Sequence, residues 1–252
     1  MENAPVITFA GRTVPTALEE KYNMWRVGAY NPLFMKMPGM KGLDDYTILK
    51  KTLELPGLLS IYHNGCDFET RKKVVPADKG NLDIARDQRV TFKSIMWFWI
   101  NVYELMGSLM NSQGLVETKE DTVVDGAPVI HIEGYKLPAS EHVKFDNWLN
   151  VLASRIYIPL LLKVPGVKAS NFFRLMDYRA LSYNWAHFVE PNMPPFISIT
   201  YFENAASLDG FNQSVELAAF RHDMALEFSS NLKTVWNTEY QLFSSHRPQP
   251  GA

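Results

Sequence analysis

The stretch APVITFAGRTVPTALEEKYNMW, residues 4–25, decides the fold, because the chain repeats it at 127–148 as APVIHIEGYKLPASEHVKFDNW. Ala4-Pro5-Val6-Ile7, Gly11, Pro15, Lys21 and Trp25 match Ala127-Pro128-Val129-Ile130, Gly134, Pro138, Lys144 and Trp148. Working outward, Tyr30, Pro32-Leu33, Lys36, Pro38-Gly39 and Lys41 recur as Tyr157, Pro159-Leu160, Lys163, Pro165-Gly166 and Lys168. Pro56, Ser60 and Ile61 match Pro194, Ser198 and Ile199, and Trp99, Tyr103 and Leu105 match Trp236, Tyr240 and Leu242. Blocks in one order with the same punctuation read as an internal duplication with a unit of about 120 residues, far longer than a solenoid repeat. The chain then serves as its own control. Positions where the copies agree concern fold, and positions where their chemistry differs are candidates for function.

Val6 to Ala10 is a β-rich run ended by Gly11, and Val129 to Glu133 repeats it before Gly134, so each copy opens on a strand. Pro15 and Pro138, with acids close behind, start a helix. Pro38-Gly39 and Pro165-Gly166 stop it. The second copy holds four more residues than the first between its Trp and its Tyr, which is about one helical turn. A strand follows at about 42–49 and 169–178, then another at Leu58–His63 and Phe196–Tyr201. A second helix starts near Asp67-Phe68-Glu69 and near Ser207-Leu208-Asp209. A last strand carries Trp97, Trp99 and Tyr103, and later Trp236 and Tyr240. Each half is therefore β-α-β-β-α-β, the ferredoxin-like split βαβ arrangement. The expected division is a first repeat at 1–110, a linker at 111–126, a second repeat at 127–245 and a flexible tail at 246–252. Residues 71–90 and 107–126 read as polar excursions.

These motifs resemble the dimeric α+β barrel superfamily, in particular its EthD-like branch. In that branch a Trp on the first helix is followed by a His-x-Pro-Leu step and a Pro-Gly stop. Trp25, Tyr30-Asn31-Pro32-Leu33 and Pro38-Gly39 follow the pattern, as do Trp148, Tyr157-Ile158-Pro159-Leu160 and Pro165-Gly166. The resemblance implies an α+β fold in which tandem ferredoxin-like repeats form a fused dimeric α+β barrel. The usual histidine is tyrosine in both copies, so no role of that histidine carries over. Members include cofactor-free monooxygenases, polyketide cyclases, lactone isomerases and haem enzymes, so the fold does not choose a reaction.

Composition narrows the classes. The chain has 252 residues, 46% of them hydrophobic, and a net charge of −2, which gives no electrostatic footprint for nucleic acid or an anionic membrane. The longest apolar run, Ile95 to Ile100, is too short to span a bilayer. The N-terminus shows no signal segment, and the single Cys66 excludes an internal disulfide, so the expected setting is cytoplasmic. No His-Glu-x-x-His, paired cysteines, glycine-rich phosphate loop or Gly-x-Ser-x-Gly is present. The expectation is accordingly no cofactor, with haem as the alternative on a lone axial His187 or His222.

Alternate residues of a strand share a face. Ile7 and Phe9, like Ile130 and Ile132, are expected to face the helices. The other face reads Thr8, Ala10, Arg12 in the first half and His131, Glu133, Tyr135 in the second. A carboxylate two residues from an imidazole suits a general base, so His131 supported by Glu133 is the leading catalytic candidate. The alternative is a polar strand face without a role. Tyr62 and His63 end a strand and either line a pocket or cap the turn at Asn64-Gly65. Asn101, facing Thr238 in the comparison, either donates to an oxyanion or bonds a neighbour. Arg12, Tyr135, Trp99, Tyr103, Trp236 and Tyr240 are substrate-binding candidates whose bland alternative is core packing. Tyr30 and Tyr157 agree between copies and are assigned first to structure, then to substrate. The stretch Ala186–Pro191, present in the second half alone, reads as a lid or a long hairpin connection.

The functional expectation is a cofactor-independent lyase, isomerase or cyclase moving protons on a small aromatic or polyketide-like molecule. An oxygen- or haem-using oxidoreductase is the second reading, and a non-catalytic ligand-binding barrel the third. The partner is a small organic substrate, and the chain is a monomer with a fused barrel or a homodimer.

Overall fold

The computed structural model describes residues 4–50, 55–77, 96–112, 115–176, 193–228 and 231–248. The chain forms two compact units. Unit 1 takes Met1–Glu104, Met176–Pro191 and Leu242–Ala252, and unit 2 takes Leu105–Leu175 and Asn192–Gln241.

Unit 1 opens with β1 (Val6–Thr13) and helix α1 (Thr16–Trp25), which runs through a π-helical turn π1 (Arg26–Tyr30) into α2 (Asn31–Phe34). Then come β2 (Met40–Ile48), β3 (Leu58–Asn64), α3 (Phe68–Ala77) and the first part of β4 (Met96–Ser112). The strands pair antiparallel in the order β2-β3-β1-β4. Unit 2 begins with the end of β4, whose Leu109–Ser112 pair with β5 (Leu115–Thr118). It continues with β6 (Val129–Lys136), α4 (His142–Trp148), π2 (Leu149–Tyr157), α5 (Ile158–Leu161), β7 (Val167–Leu175), β8 (Phe196–Phe202), α6 (Ala205–Asn212), α7 (Val215–Phe228) and β9 (Lys233–His246). Its strands pair in the order β7-β8-β6-β9.

The two units share their irregularities. A bulge falls between Gly11 and Arg12 and again between Gly134 and Tyr135, and others at Met40/Gly42 and Val167/Ala169. Gly39 and Gly166 lie in the turns between the first helices and the next strands, with φ of 81° and 79°, the left-handed conformation that a side chain resists. The four extra residues of the second half lie in π2, nine residues long against five in π1. A widened turn of this kind absorbs an insertion without rotating the helix off its core.

Two expectations are corrected. The polar stretch from 107 is not a bare linker, because β4 extends to Ser112 and hairpins with β5. Its polar residues are sheet residues with partners: buried Ser108 donates to Asn171 Oδ1 at 2.6 Å, and Asn111 bonds the Leu162 carbonyl. The assignment of strand faces is inverted. Ala10, Leu58 and Tyr62 pack in one cluster with Tyr22, Tyr30 and Phe34 of the helical segment, so the face of Thr8, Ala10 and Arg12 is the one under the helices. Tyr135 likewise meets Phe145 of α4, and His131 meets Phe211 of α6. Polarity misled because every residue of β3 and nearly all of β1 is buried, so apolar character does not separate the faces. Among the described residues no helix is long and apolar enough to cross a membrane.

Candidate functional site

The layer between the sheet and helices of unit 1 contains buried charge. Arg12 leaves β1 just after its bulge, and Arg26 is the first residue of π1; both side chains have no exposed surface. Between them lies Asp45 of β2, equally buried. Its Oδ1 accepts from Arg26 Nη2 at 2.5 Å, from Arg12 Nη2 at 3.3 Å and from the Ser60 hydroxyl. Its Oδ2 accepts from Asn31 Nδ2 at 2.7 Å and Ser244 Oγ at 3.2 Å. Arg26 Nη1 donates to the Tyr62 hydroxyl at 3.1 Å, and the Tyr62 and Tyr30 hydroxyls lie 3.3 Å apart. The Arg26 guanidinium lies 4.3 Å over the Tyr30 ring and that of Arg12 5.2 Å from the Tyr22 ring.

Two buried guanidiniums share the Asp45 carboxylate in a setting of low dielectric, where charge effects are largest. Burial alone would push the Asp45 carboxyl up, but Arg26 and Arg12 and the bonds from Ser60 and Asn31 outweigh it and hold the group at about 2. Asp45 is thus a permanent anion with both oxygens engaged. It anchors the arginines and is not placed to take a proton. Burial also works against the Arg26 charge, and Asp45 then Tyr62 overcome it. Burial and the neighbouring Tyr62 push the Tyr30 phenol far up, so it stays a neutral hydroxyl.

His246, the last residue of β9, lies two positions past Ser244 and so shares its face. Burial lowers its pKa below the ordinary 6.5, with Asp45, Arg26 and Asp44 among the charges acting on it. Its Nε2 is buried and, among the described residues, has no hydrogen-bond partner; the same holds for Arg26 Nε and Asn31 Oδ1. Buried polar atoms without protein partners are uncommon, and each calls for an explanation such as an ordered water or a role in chemistry.

At the matching places of unit 2 the arginines become Tyr135 and Leu149, Asp45 becomes Phe172, Tyr62 becomes Thr200, Asn31 becomes Ile158 and Tyr22 becomes Phe145. Most of these residues form unit 2's hydrophobic core. At these six positions unit 2 places mostly apolar side chains where unit 1 places charged and polar ones.

On the opposite face of the same strands, Asp44 accepts from His63 Nε2 at 3.0 Å, Ser245 Oγ at 2.7 Å and Arg247 Nη1 at 2.8 Å. Burial raises the Asp44 carboxyl, but His63 and Arg247 more than reverse it. His63 is thus paired inside the sheet and is not a turn cap. Asn101 and Tyr103 share this face. Asn101 is buried with no partner for Nδ2 among the described residues, and Tyr103 lies edge-on to Phe9. Trp99 pairs with Gly11 through its backbone. In unit 2, Trp236 and Tyr240 are buried on the equivalent face, opposite Gly134 and Ile130.

His131 and Glu133 do not bond to one another among the described residues. His131 Nε2 meets Asn237 Oδ1 at 2.7 Å, while Glu133 accepts from Arg221 at 2.6 Å and from Tyr135 at 2.8 Å. His131 turns to Asn237 of the neighbouring strand β9, while Glu133 is taken by Arg221 of α7 and by Tyr135 on its own strand. Tyr30 and Tyr157 part company: Tyr30 joins the charged layer, whereas Tyr157 donates to Asp223 of α7. Of the sequence candidates, Arg12, Tyr30 and Tyr62 are brought together. Arg26, Asn31, Asp45, Ser60, Ser244 and His246 were missed, although comparing the two halves position by position exposes most of them.

No model of a known family matches the chain, and no curated protein does. Solved structures do match. A crystal structure of an anthrone oxidase-like protein has a TM-score of 0.63 at 12% identity, covering 98% of this chain and 94% of that one. A putative monooxygenase from Fusobacterium nucleatum has 0.60 at 8% identity, covering 98% and 96%. A mutant chlorite dismutase from Candidatus Nitrospira defluvii, in complex with cyanide, has 0.50 at 12%, covering 97% and 92%. The likeness shows the fold: α+β, of the dimeric α+β barrel class. At such identities it leaves the reaction open.

Of the two haem-ligand candidates, His222 is exposed on α7, which does not suit an enclosed axial ligand, and His187 lies outside the described residues. His63, His131 and His142 each have Nε2 in contact with a protein oxygen. Among the described residues no group of three His, Cys, Asp or Glu is placed to hold a metal ion.

Proposed function

We propose that the chain is a cofactor-independent oxidoreductase that oxidises a small enolisable aromatic molecule with dioxygen, at the charged layer of unit 1. The observation that carries this reading is the buried Arg26 guanidinium, whose Nε has no partner among the described residues, beside His246 Nε2, likewise without one, at positions that the other half gives mostly to apolar side chains. A buried cation with a spare donor is complementary to an enolate oxygen. A neutral imidazole on the same side is a competent base near neutral pH. The anthrone oxidase-like and putative monooxygenase neighbours support the reaction class over the lyase and isomerase expectation. The duplication read from the sequence supports the division of labour, one copy keeping the polar layer and the other a core.

In this scheme His246 Nε2 takes the acidic proton of an activated CH₂ group, while Arg26 and the Tyr62 hydroxyl stabilise the negative charge on the substrate oxygen. The carbanion gives its electrons to dioxygen, forming a C–O bond. Loss of water from the resulting hydroperoxide leaves a carbonyl, so that CH₂ and O₂ become C=O and H₂O.

The test is oxygen uptake with a hydroxylated anthrone as probe. Removing one oxyanion donor typically costs on the order of 10²–10³ in kcat, so Tyr62→Phe should lose activity on that scale while Tyr157→Phe keeps it. Equal rates in both variants, or no uptake above the uncatalysed rate in the native chain, would overturn the reading.

A further inference from the structure

Helix α7 is apolar on both of its sides. Leu217, Phe220, Met224 and Phe228 are buried in the core of unit 2. Facing away are Val215, Ala218, Ala219, His222, Ala225 and Leu226, all exposed, with Val215 at 77% and Leu226 at 68%. Their spacing forms one stripe at helical period, a second face besides the one that packs on the core. The charged residues of α7 are largely engaged elsewhere: Arg221 with Glu133, Asp223 with Tyr157 and Glu227 with Lys144. The neighbouring helical segment continues the surface. Tyr157 of π2 bonds Asp223, and its ring meets Phe220. On that segment Leu152, Ile156 and Leu160 stand exposed at intervals of four.

We propose that this face is where two copies of the chain associate, α7 against α7 about a two-fold axis. The stripe is its own complement when run antiparallel. Val215 then meets Leu226 of the partner subunit, and Ala219 meets His222 of the partner subunit, with large side chains at the ends and alanines between them. A two-fold interface requires this self-complementarity, and the alanines permit close approach of the helix axes. The surface offers almost no charge by which a different protein would be steered or selected. A standard interface takes ~800 Å² from each partner, and the exposed side chains of the α7 stripe together with Leu152, Ile156 and Leu160 are the apolar surface this unit offers to it.

Sedimentation velocity of the full chain decides the matter. The native chain should run at two chain masses at micromolar concentration, and Ala219→Glu and Leu226→Glu should run at one, with unchanged far-UV circular dichroism. Met24→Glu, which charges an exposed apolar position of unit 1, should remain at two. A native chain at one chain mass up to about 100 μM, or an Ala219→Glu variant still at two, overturns the proposal. Should the glutamate variants lose their helix signal, Val215→Cys/Leu226→Cys in a Cys66→Ser background replaces them. Those positions lie about 16 Å apart on one helix, too far for a bond within a chain. A disulfide-linked dimer on a non-reducing gel supports the interface, and its absence under oxidising conditions overturns it.

Discussion

Replacing Asp45 by Asn removes the single carboxylate that two buried guanidiniums share and keeps the shape of the side chain. Arg12, Arg26 and Asp45 have no exposed surface, so solvent cannot replace the lost charge. Breaking a buried ion pair by removing one partner costs about 3–5 kcal/mol, and Asp45→Asn should fall in that range at pH 7. A second magnitude follows from titration. The carboxyl is held at about 2 against an ordinary value of 3.8, which corresponds to about 2 kcal/mol favouring the folded state. Because the folded value is the lower one, this stabilisation is fully present above about pH 5 and drains away as pH falls through 2. The gap between the native chain and Asp45→Asn should therefore narrow by about 1 kcal/mol between pH 7 and pH 3. Urea unfolding followed by tryptophan fluorescence at both pH values measures it. A loss below about 1 kcal/mol at pH 7, or a gap that does not change with pH, would refute the view that Asp45 anchors a charged layer.

The base assigned to His246 must be unprotonated to act, and burial holds its pKa below 6.5. The kcat/KM for the anthrone probe should therefore be flat at neutral pH and fall only below pH 6.5, and His246→Gln should abolish that limb together with most of the rate. In unit 2, Glu133→Gln should destabilise by about 1–3 kcal/mol in thermal or urea unfolding, since it weakens the bonds from Arg221 and Tyr135. If His131 and Glu133 also carry the chemistry, His131→Ala will lower turnover as far as Tyr62→Phe does; unchanged turnover assigns the pair to structure. Freshly purified protein should show no Soret band and should keep its oxygen uptake after exhaustive chelation, read by absorption and by oxygen electrode.

The punctuation residues determined the architecture from the sequence alone. Pro38-Gly39 and Pro165-Gly166 stop the helical stretch because proline fixes its φ and lacks an N–H while glycine enters the left-handed region freely, and the structure places both glycines at φ near 80° in the turns after the first helices. The strand starts at Val6 and Val129 and the repeated strand order were legible for the same reason: they are local, and local sterics are written in adjacent residues. The faces of the strands were not. When both sides of a sheet are covered, alternation of polarity no longer tells inside from outside, and Arg12 went to the helix side because Asp45, Ser60 and Tyr22 awaited it there. Partner choice was equally beyond the sequence. The neighbours Asp44 and Asp45 point to opposite faces and join two different networks. His246, which reads as the start of a loose tail, ends a strand beside a residue of the charged layer. Hydrogen bonds and charge pairing act over about 3 Å between groups that the chain separates by tens or hundreds of residues. Only the folded arrangement of helix over sheet decides which of them meet.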